Sequence, residues 1–240
     1  MSKKLINPSI TQDCVTLLSE KATYIVNVIF EKKPLPIYIF PTVFPPVAKH
    51  KSSLKTIIKT FGNITNKEII DIGGGCGLMS ISLALAGAKH IDVTDINPNA
   101  VKCIEYNIKI NELGHKINVF ESDLFSNVPS KKYDIIIGYL PIVNYKVKKS
   151  NINNTFYDDG YKIRKRFLKD ARKFLNIDGT IVMLQGNLQS IDTDSPDGDF
   201  STLELMIKDY DYTISSKTKI SKGEDPRFDW FNYKLKDNRK

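Results

Sequence analysis

From residue 67 onward, short apolar stretches alternate with longer segments whose apolar residues recur at helical spacing. A run that is apolar on both faces is a strand covered on both sides, and strands separated by helices are joined by crossovers. The pattern therefore predicts a parallel sheet between two layers of helices. The strand stretches are Glu68 to Ile72, His90 to Thr94, Ile117 to Glu121, Tyr133 to Gly138 and Thr180 to Gln185, with helices over Leu78 to Ala86, Pro98 to Asn111 and Tyr161 to Leu175. The last helix closes on a turn, Asn176-Ile177-Asp178-Gly179. A helix near Thr202 to Lys208 and two strand-like runs, Tyr212 to Lys219 and Phe228 to Leu235, end the chain. Without a helix between them, those two runs pair antiparallel at one sheet edge. Residues 186–200, with Asp192, Asp194, Asp197 and Asp199, read as a mobile acidic loop.

Ahead of this core the spacing predicts a helix over residues 9–22 and a hairpin. The hairpin joins Tyr24 to Phe30 and Ile37 to Phe40 through Glu31-Lys32-Lys33-Pro34. Pro41, Pro45 and Pro46 then break the chain before a helix from Val47 to Phe61. Residues 1–46 are thus expected to form a helix and hairpin that close over the site and help define the substrate, and residues 47–240 the catalytic domain. A length of 240 residues suits one such domain with a modest extension.

No apolar run approaches the roughly 20 residues that span a bilayer, and the start of the chain lacks the apolar stretch of a secretory signal. The expected location is the cytoplasm, with no membrane partner. Cys14, Cys76 and Cys103 are odd in number and far apart, which argues against disulfides and against a zinc site, so no metal is expected. The net charge of +8 would suit a polyanion such as RNA, but the lysines are spread along the chain rather than gathered with aromatics.

The chemistry concentrates at strand ends. Asp71 ends the first core strand and runs into Gly73-Gly74-Gly75-Cys76-Gly77 ahead of a helix, a turn where a ligand can approach bare backbone. Asp95 follows the second strand, where a carboxylate can accept both hydroxyls of a ribose. Asp123 follows the third. A dinucleotide-binding loop with glycines at 73 and 75 would place its third at 78, which is Leu78; Gly77 departs from that spacing.

These residues resemble the class I, Rossmann-like S-adenosylmethionine methyltransferases, whose first motif is an acid followed by glycines at alternate positions, here Asp71, Gly73, Gly75 and Gly77. Within that class the chain is most similar to the group of release-factor glutamine methyltransferases and small-domain RNA and DNA amine methyltransferases. The shared residues are Asp95-Ile96-Asn97-Pro98-Asn99-Ala100-Val101 with Asn107 downstream, Asp123-Leu124-Phe125, Tyr133-Asp134-Ile135-Ile136-Ile137, Asp159-Gly160 and Asp178-Gly179. The Val43-Phe44-Pro45-Pro46 segment looks like that group's lid ahead of the domain.

The resemblance implies a seven-stranded, mostly parallel sheet with helices on both faces. It further implies S-adenosylmethionine as cofactor, with its methionine part on the loop that includes Gly74, its ribose on Asp95 beside Ile96, and its adenine edge near Asp123 and Leu124. Tyr139 stands with these cofactor contacts. Phe44, Pro141 and Tyr157 are the candidate substrate contacts.

Where the group carries Asn-Pro-Pro-Tyr after the fourth strand, this chain reads Tyr139-Leu140-Pro141-Ile142. A tyrosine hydroxyl on a longer arm does not reproduce the acceptor geometry of an asparagine toward a planar nitrogen. The departure favours a nitrogen or oxygen nucleophile of a small molecule or peptide, with RNA or protein glutamine as the alternative substrate. A non-catalytic binding protein is the alternative function. Tyr139 and Asp158, followed by Asp159 and His50, are the candidate proton acceptors, although the two aspartates equally suit capping of the helix near Tyr161. Cys76 reads as a space-filler inside the loop.

Overall fold

The structure, a computed structural model, describes residues 19, 21–45, 54–146, 155–190, 197–222 and 229–239. The helix expected over residues 9–22 and the first half of the one expected from Val47 fall largely outside them, as do His50, Cys14, Pro46, Asp192 and Asp194.

Strands β1 (Tyr24–Phe30) and β2 (Lys33–Ile39) form the antiparallel hairpin, followed by α1 (Leu54–Phe61). The core comprises β3 (Glu68–Ile72), α2 (Leu78–Leu85), β4 (His90–Asp95), α3 (Pro98–Ile110), β5 (Ile117–Glu121), β6 (Tyr133–Gly138), α4 (Lys162–Ala171), β7 (Leu175–Gly186), α5 (Gly198–Asp209), β8 (Tyr212–Lys222) and β9 (Asp229–Asp237). The seven-stranded sheet has the order β5-β4-β3-β6-β7-β9-β8. β9 runs antiparallel to both β7 and β8, and the other pairings are parallel. From β3 the chain adds β4 and β5 on one side and β6 and β7 on the other. The crevice beyond the carboxyl ends of β3 and β6 is therefore the switch point at which such sheets bind ligands.

Alternation along each strand divides the core. Ile69, Ile91, Val93, Ile135 and Ile137 pack with α1, α2, α3 and the hairpin on one face. Ile70, Ile72, Ile136, Ile181 and Met183 pack with α4 and α5 on the other. Gly138 has no room for a side chain, since an added Cβ would lie 2.5 Å from the Phe167 ring of α4.

Three local expectations change. The hairpin turns on two residues, Glu31 and Lys32, both at positive φ (46° and 69°), the geometry whose twist matches the flanking strands. β2 accordingly begins at Lys33, not Ile37. The turn at Asn176 to Gly179 becomes an irregularity inside β7, where pairing with β6 jumps from Tyr133↔Leu175 to Ile135↔Thr180. The acidic stretch over residues 186–200 is in part ordered structure. Asp199 is buried in the first turn of α5, its Oδ2 accepting the amides of Gln189 (2.7 Å) and Ser190 (3.1 Å).

Candidate active site

The loop between β3 and α2 is set by its backbone. Gly73, Gly75 and Gly77 all have φ between 59° and 80°, the left-handed region that side chains with a Cβ rarely adopt. The amides of Gly73 and Gly74 both donate to the carbonyl of Thr94 at 2.8 Å, pinning the loop to the end of β4. At Gly74 an added Cβ would lie 2.3 Å from Val93 Cγ2, so that glycine serves packing against β4. Gly75 differs: among the described residues, the one neighbour its Cβ would meet within 4 Å is the carbonyl of Phe44, at 4.0 Å.

Two carboxylates border the loop. Asp71 is buried, and Ser80 Oγ of α2 donates to its Oδ2 at 2.7 Å. Burial raises its pKa to about 6 against that hydrogen bond, and the nearby Asp95 charge adds to the rise. Asp95 accepts the Gly75 amide on Oδ2 and the Asn97 amide on Oδ1, both at 2.9 Å. Burial raises its pKa too, opposed by those backbone bonds. Ile96, beside it, is 56% exposed, an apolar surface at the rim.

Beyond β5, Asp123 is exposed and its Oδ2 accepts Arg166 Nη2 of α4 at 2.9 Å. Leu124 sits at φ 53° with its side chain in the core, and its carbonyl accepts Ser122 Oγ at 2.9 Å. Cys76 and Cys103 are buried free thiols, and burial pushes them up to about 12 and about 11. Neither has the thiolate character of a nucleophile.

Of the candidate proton acceptors, Tyr139, Asp158 and Asp159 lie among the described residues and are otherwise engaged. The Tyr139 hydroxyl donates to Asn232 Oδ1 of β9 at 2.7 Å, and Asn232 Nδ2 donates onward to Thr60 Oγ1. Burial raises the Tyr139 pKa, so the phenol stays neutral. Asp158 takes the capping alternative, its oxygens accepting the amides of Ile163 (2.8 Å) and Arg164 (3.0 Å) at the start of α4. Asp159 pairs with Lys162 at the surface.

Arg164 was not singled out in the sequence, yet it organises the segment after β6. It is 1% exposed, and burial lowers its pKa to about 10. Nε donates to Pro141 O (2.9 Å), Nη1 to Gln185 Oε1 (2.6 Å), and Nη2 to Leu184 O (2.8 Å) and Leu140 O (3.4 Å). One of two arginines in an amphipathic helix, Arg164 gives no local sign of such burial. Leu140 also reaches the loop, with Cδ2 3.4 Å from where a Cβ on Gly73 would stand. Aromatic rings form a row that meets the segment after β6 where Tyr157 bridges Val143: Phe44 meets Phe156 edge-on at 5.2 Å, Phe156 lies 6.2 Å from Tyr157, and Tyr157 6.0 Å from Tyr145.

A glycine cradle at the switch point, a carboxylate at the end of each of three adjacent strands, and an antiparallel last pair define the Rossmann-like methyltransferase class. The chain belongs to the methyltransferase small domain family, whose model matches residues 41–216. It is 36% identical, over 67% of its own length and 80% of the relative's, to a putative protein N5-glutamine methyltransferase of Methanocaldococcus jannaschii. A ribosomal protein uL3 glutamine methyltransferase of Francisella tularensis is 23% identical over 86% of this chain and 77% of that one.

Among solved structures, the fold matches a T. thermophilus 16S rRNA methyltransferase in complex with AdoMet and guanosine. The TM-score is 0.63 at 14% identity, covering 91% of this chain and 52% of that one. A ribosomal protein L11 methylase from Lactobacillus delbrueckii subsp. bulgaricus gives 0.59 at 17% identity, covering 83% of each.

The protein is thus an S-adenosylmethionine-dependent methyltransferase. The names of these relatives carry protein and ribosomal RNA substrates, and the small-molecule substrate expected from the sequence finds no support among them. Among the described residues no helix is long and apolar enough to cross a membrane.

Proposed function

We propose that this chain methylates a side-chain nitrogen of a protein substrate, a glutamine amide, with the donor bound across the carboxyl ends of β3, β4 and β5. In this reading the backbone of residues 73–77 receives the methionine part. Asp95, whose oxygens each keep a lone pair beyond the amides they accept, receives the ribose hydroxyls. The exposed face of Ile96 and the backbone at Leu124 border the adenine, and Asp123 reaches its edge only by sharing Arg166. These residues fit the group: among the described residues a Cβ on Gly75 would meet no atom closer than the Phe44 carbonyl at 4.0 Å, and a rim carboxylate and an apolar surface stand beside it. When bound there, S-adenosylmethionine supplies a methyl group activated by its positive sulfur.

The observation that carries the substrate assignment is the aromatic row Phe44, Phe156, Tyr157 and Tyr145, tied to the segment after β6 by the bridge between Tyr157 and Val143. Such rings offer flat faces against which one planar side chain can stack. With the Tyr139 hydroxyl committed to Asn232, acceptors for the amide hydrogens fall to the second lone pairs of Leu140 O and Pro141 O, which Arg164 holds in place. These carbonyls would orient the amide nitrogen toward the donor's activated methyl group, the sulfur leaving as a neutral thioether and the nitrogen's proton passing to solvent when the site opens. Neither Asp158 nor Tyr139 takes that proton, because one caps α4 and the other is a buried donor. The protein's contribution is alignment and exclusion of water, effects that supply about 7 to 11 kcal/mol.

The test is transfer of labelled methyl groups into an extract of ribosomes and translation factors, followed by separate protease and ribonuclease digestion. Label that protease releases, mapped by mass spectrometry to glutamine, is the expected result. Label confined to RNA would overturn the assignment.

A further inference from the structure

Four asparagines of α3 and its flanks grip the hairpin and the segment after it in reverse order. Asn111 Nδ2 donates to Pro36 O at 3.3 Å, and Asn107 exchanges two bonds with Tyr38. Asn99 Nδ2 donates to Pro41 O at 3.3 Å, and Asn97 Nδ2 to Thr42 O at 3.1 Å. The free edge of β2 is suited to this grip. On an antiparallel edge, alternate residues point both backbone groups outward, here positions 34, 36 and 38. Pro34 and Pro36 carry no amide hydrogen, which leaves Tyr38 as the outward donor of the three.

Asn107 alone of the four also touches the glycine loop. Its Oδ1 accepts the Tyr38 amide at 2.8 Å, and its Nδ2 donates both to Tyr38 O at 2.8 Å and to Cys76 O at 2.9 Å. The side chain is fully buried and has spent its acceptor and both donor hydrogens on these two segments. The neighbouring Cys103 Sγ adds a fourth bond, to Tyr38 O at 3.1 Å. Further along, the same segment brings Phe44 over Gly75.

We infer that Asn107 is a positioning residue that couples the glycine loop to the hairpin, so that occupation of the loop by the donor stiffens β2 and sets the wall that receives the substrate. The inference rests on the glycine loop being the donor site. Ordering of the loop fixes the Cys76 carbonyl, which fixes the Asn107 amide and, through it, both backbone groups of Tyr38. Asn111 supplies the contrast, since it holds the hairpin without reaching the loop.

The test uses the full chain with S-adenosylhomocysteine, measuring affinity by calorimetry and amide hydrogen exchange across β2. In the parent, the ligand slows exchange at Tyr38. Asn107→Asp keeps the acceptor for the Tyr38 amide but can donate neither to Cys76 O nor to Tyr38 O. It is expected to bind about tenfold more weakly, the equivalent of one hydrogen bond, and to lose the ligand-dependent slowing. Asn107→Ser serves the same purpose should the aspartate variant not fold. Asn111→Ala is expected to exchange faster in β2 without ligand, with affinity within about twofold of the parent. Coupling is refuted if either Asn107 variant binds and protects like the parent, or if Asn111→Ala loses as much affinity. Failure of the parent itself to bind would sink the donor-site reading instead.

Discussion

Asp71 is a carboxyl group that the fold holds at the expense of stability. Its native pKa of about 6 stands above the ordinary 3.8 because burial penalises the charge more than the Ser80 hydrogen bond favours it. The unfolded chain therefore releases this proton near pH 3.8, while the native protein keeps it until about pH 6. Between those values the native state binds more protons, so stability falls as pH rises and the loss is complete above pH 6. A shift of about two units corresponds to about 3 kcal/mol.

Asp71→Asn removes the titration while leaving an oxygen to accept Ser80 Oγ. The variant is expected to match the parent near pH 4 and to be more stable by up to about 3 kcal/mol at pH 7.5, a gain of roughly 6 to 12 °C in melting temperature for a chain of this size. Urea denaturation of both proteins at half-unit steps from pH 4 to pH 7.5 reads the difference, in which the titrations of Asp95, Asp158 and Asp199, also raised by burial, largely cancel. A difference that stays flat across that range, or a variant less stable at pH 7.5, would refute the reasoning.

Tyr139→Phe leaves Asn232 Oδ1 without its buried donor and is expected to lower stability by about 1 to 3 kcal/mol, with S-adenosylhomocysteine affinity and methyl-transfer rate within about twofold of the parent. A rate loss beyond tenfold at unchanged stability would restore Tyr139 as a catalytic group. Arg164→Lys keeps the charge but loses the planar fork that reaches Pro141, Gln185 and Leu184 together. Its expected signature is a fall in kcat with donor affinity little changed, because the misplaced carbonyls are those of the substrate side; equal loss of donor affinity would show that Arg164 only supports the fold.

The sheet was legible because its strands are short, apolar and separated by helices, a local pattern that survives without knowledge of partners. The glycine loop and the acids at 71, 95 and 123 were legible for the same reason: each sits at a strand end that periodicity locates. What escaped reading depends on long-range partners. The buried Arg164 looks like any solvent-facing arginine until Pro141, Leu184 and Gln185 are brought around it. Asn107 stood out only as part of the family resemblance and Asn111 not at all, and neither showed that it satisfies the edge of a strand some seventy residues away. Asp199 sat in a run of acids that composition marked as a loop, and only the fold supplies the two amides that bury it. The two-residue turn at Glu31-Lys32 lacked the glycine or asparagine that usually signals positive φ.

Isothermal titration of S-adenosylhomocysteine into the parent and into Asp95→Asn bears most directly on where the nucleoside is held. Loss of one carboxylate oxygen and its charge is predicted to weaken binding by about ten- to a hundredfold, the range for a hydrogen bond to a charged group, measured at a temperature where both proteins are folded. Equal affinities for the two proteins, or no heat of binding with the parent, would contradict the account.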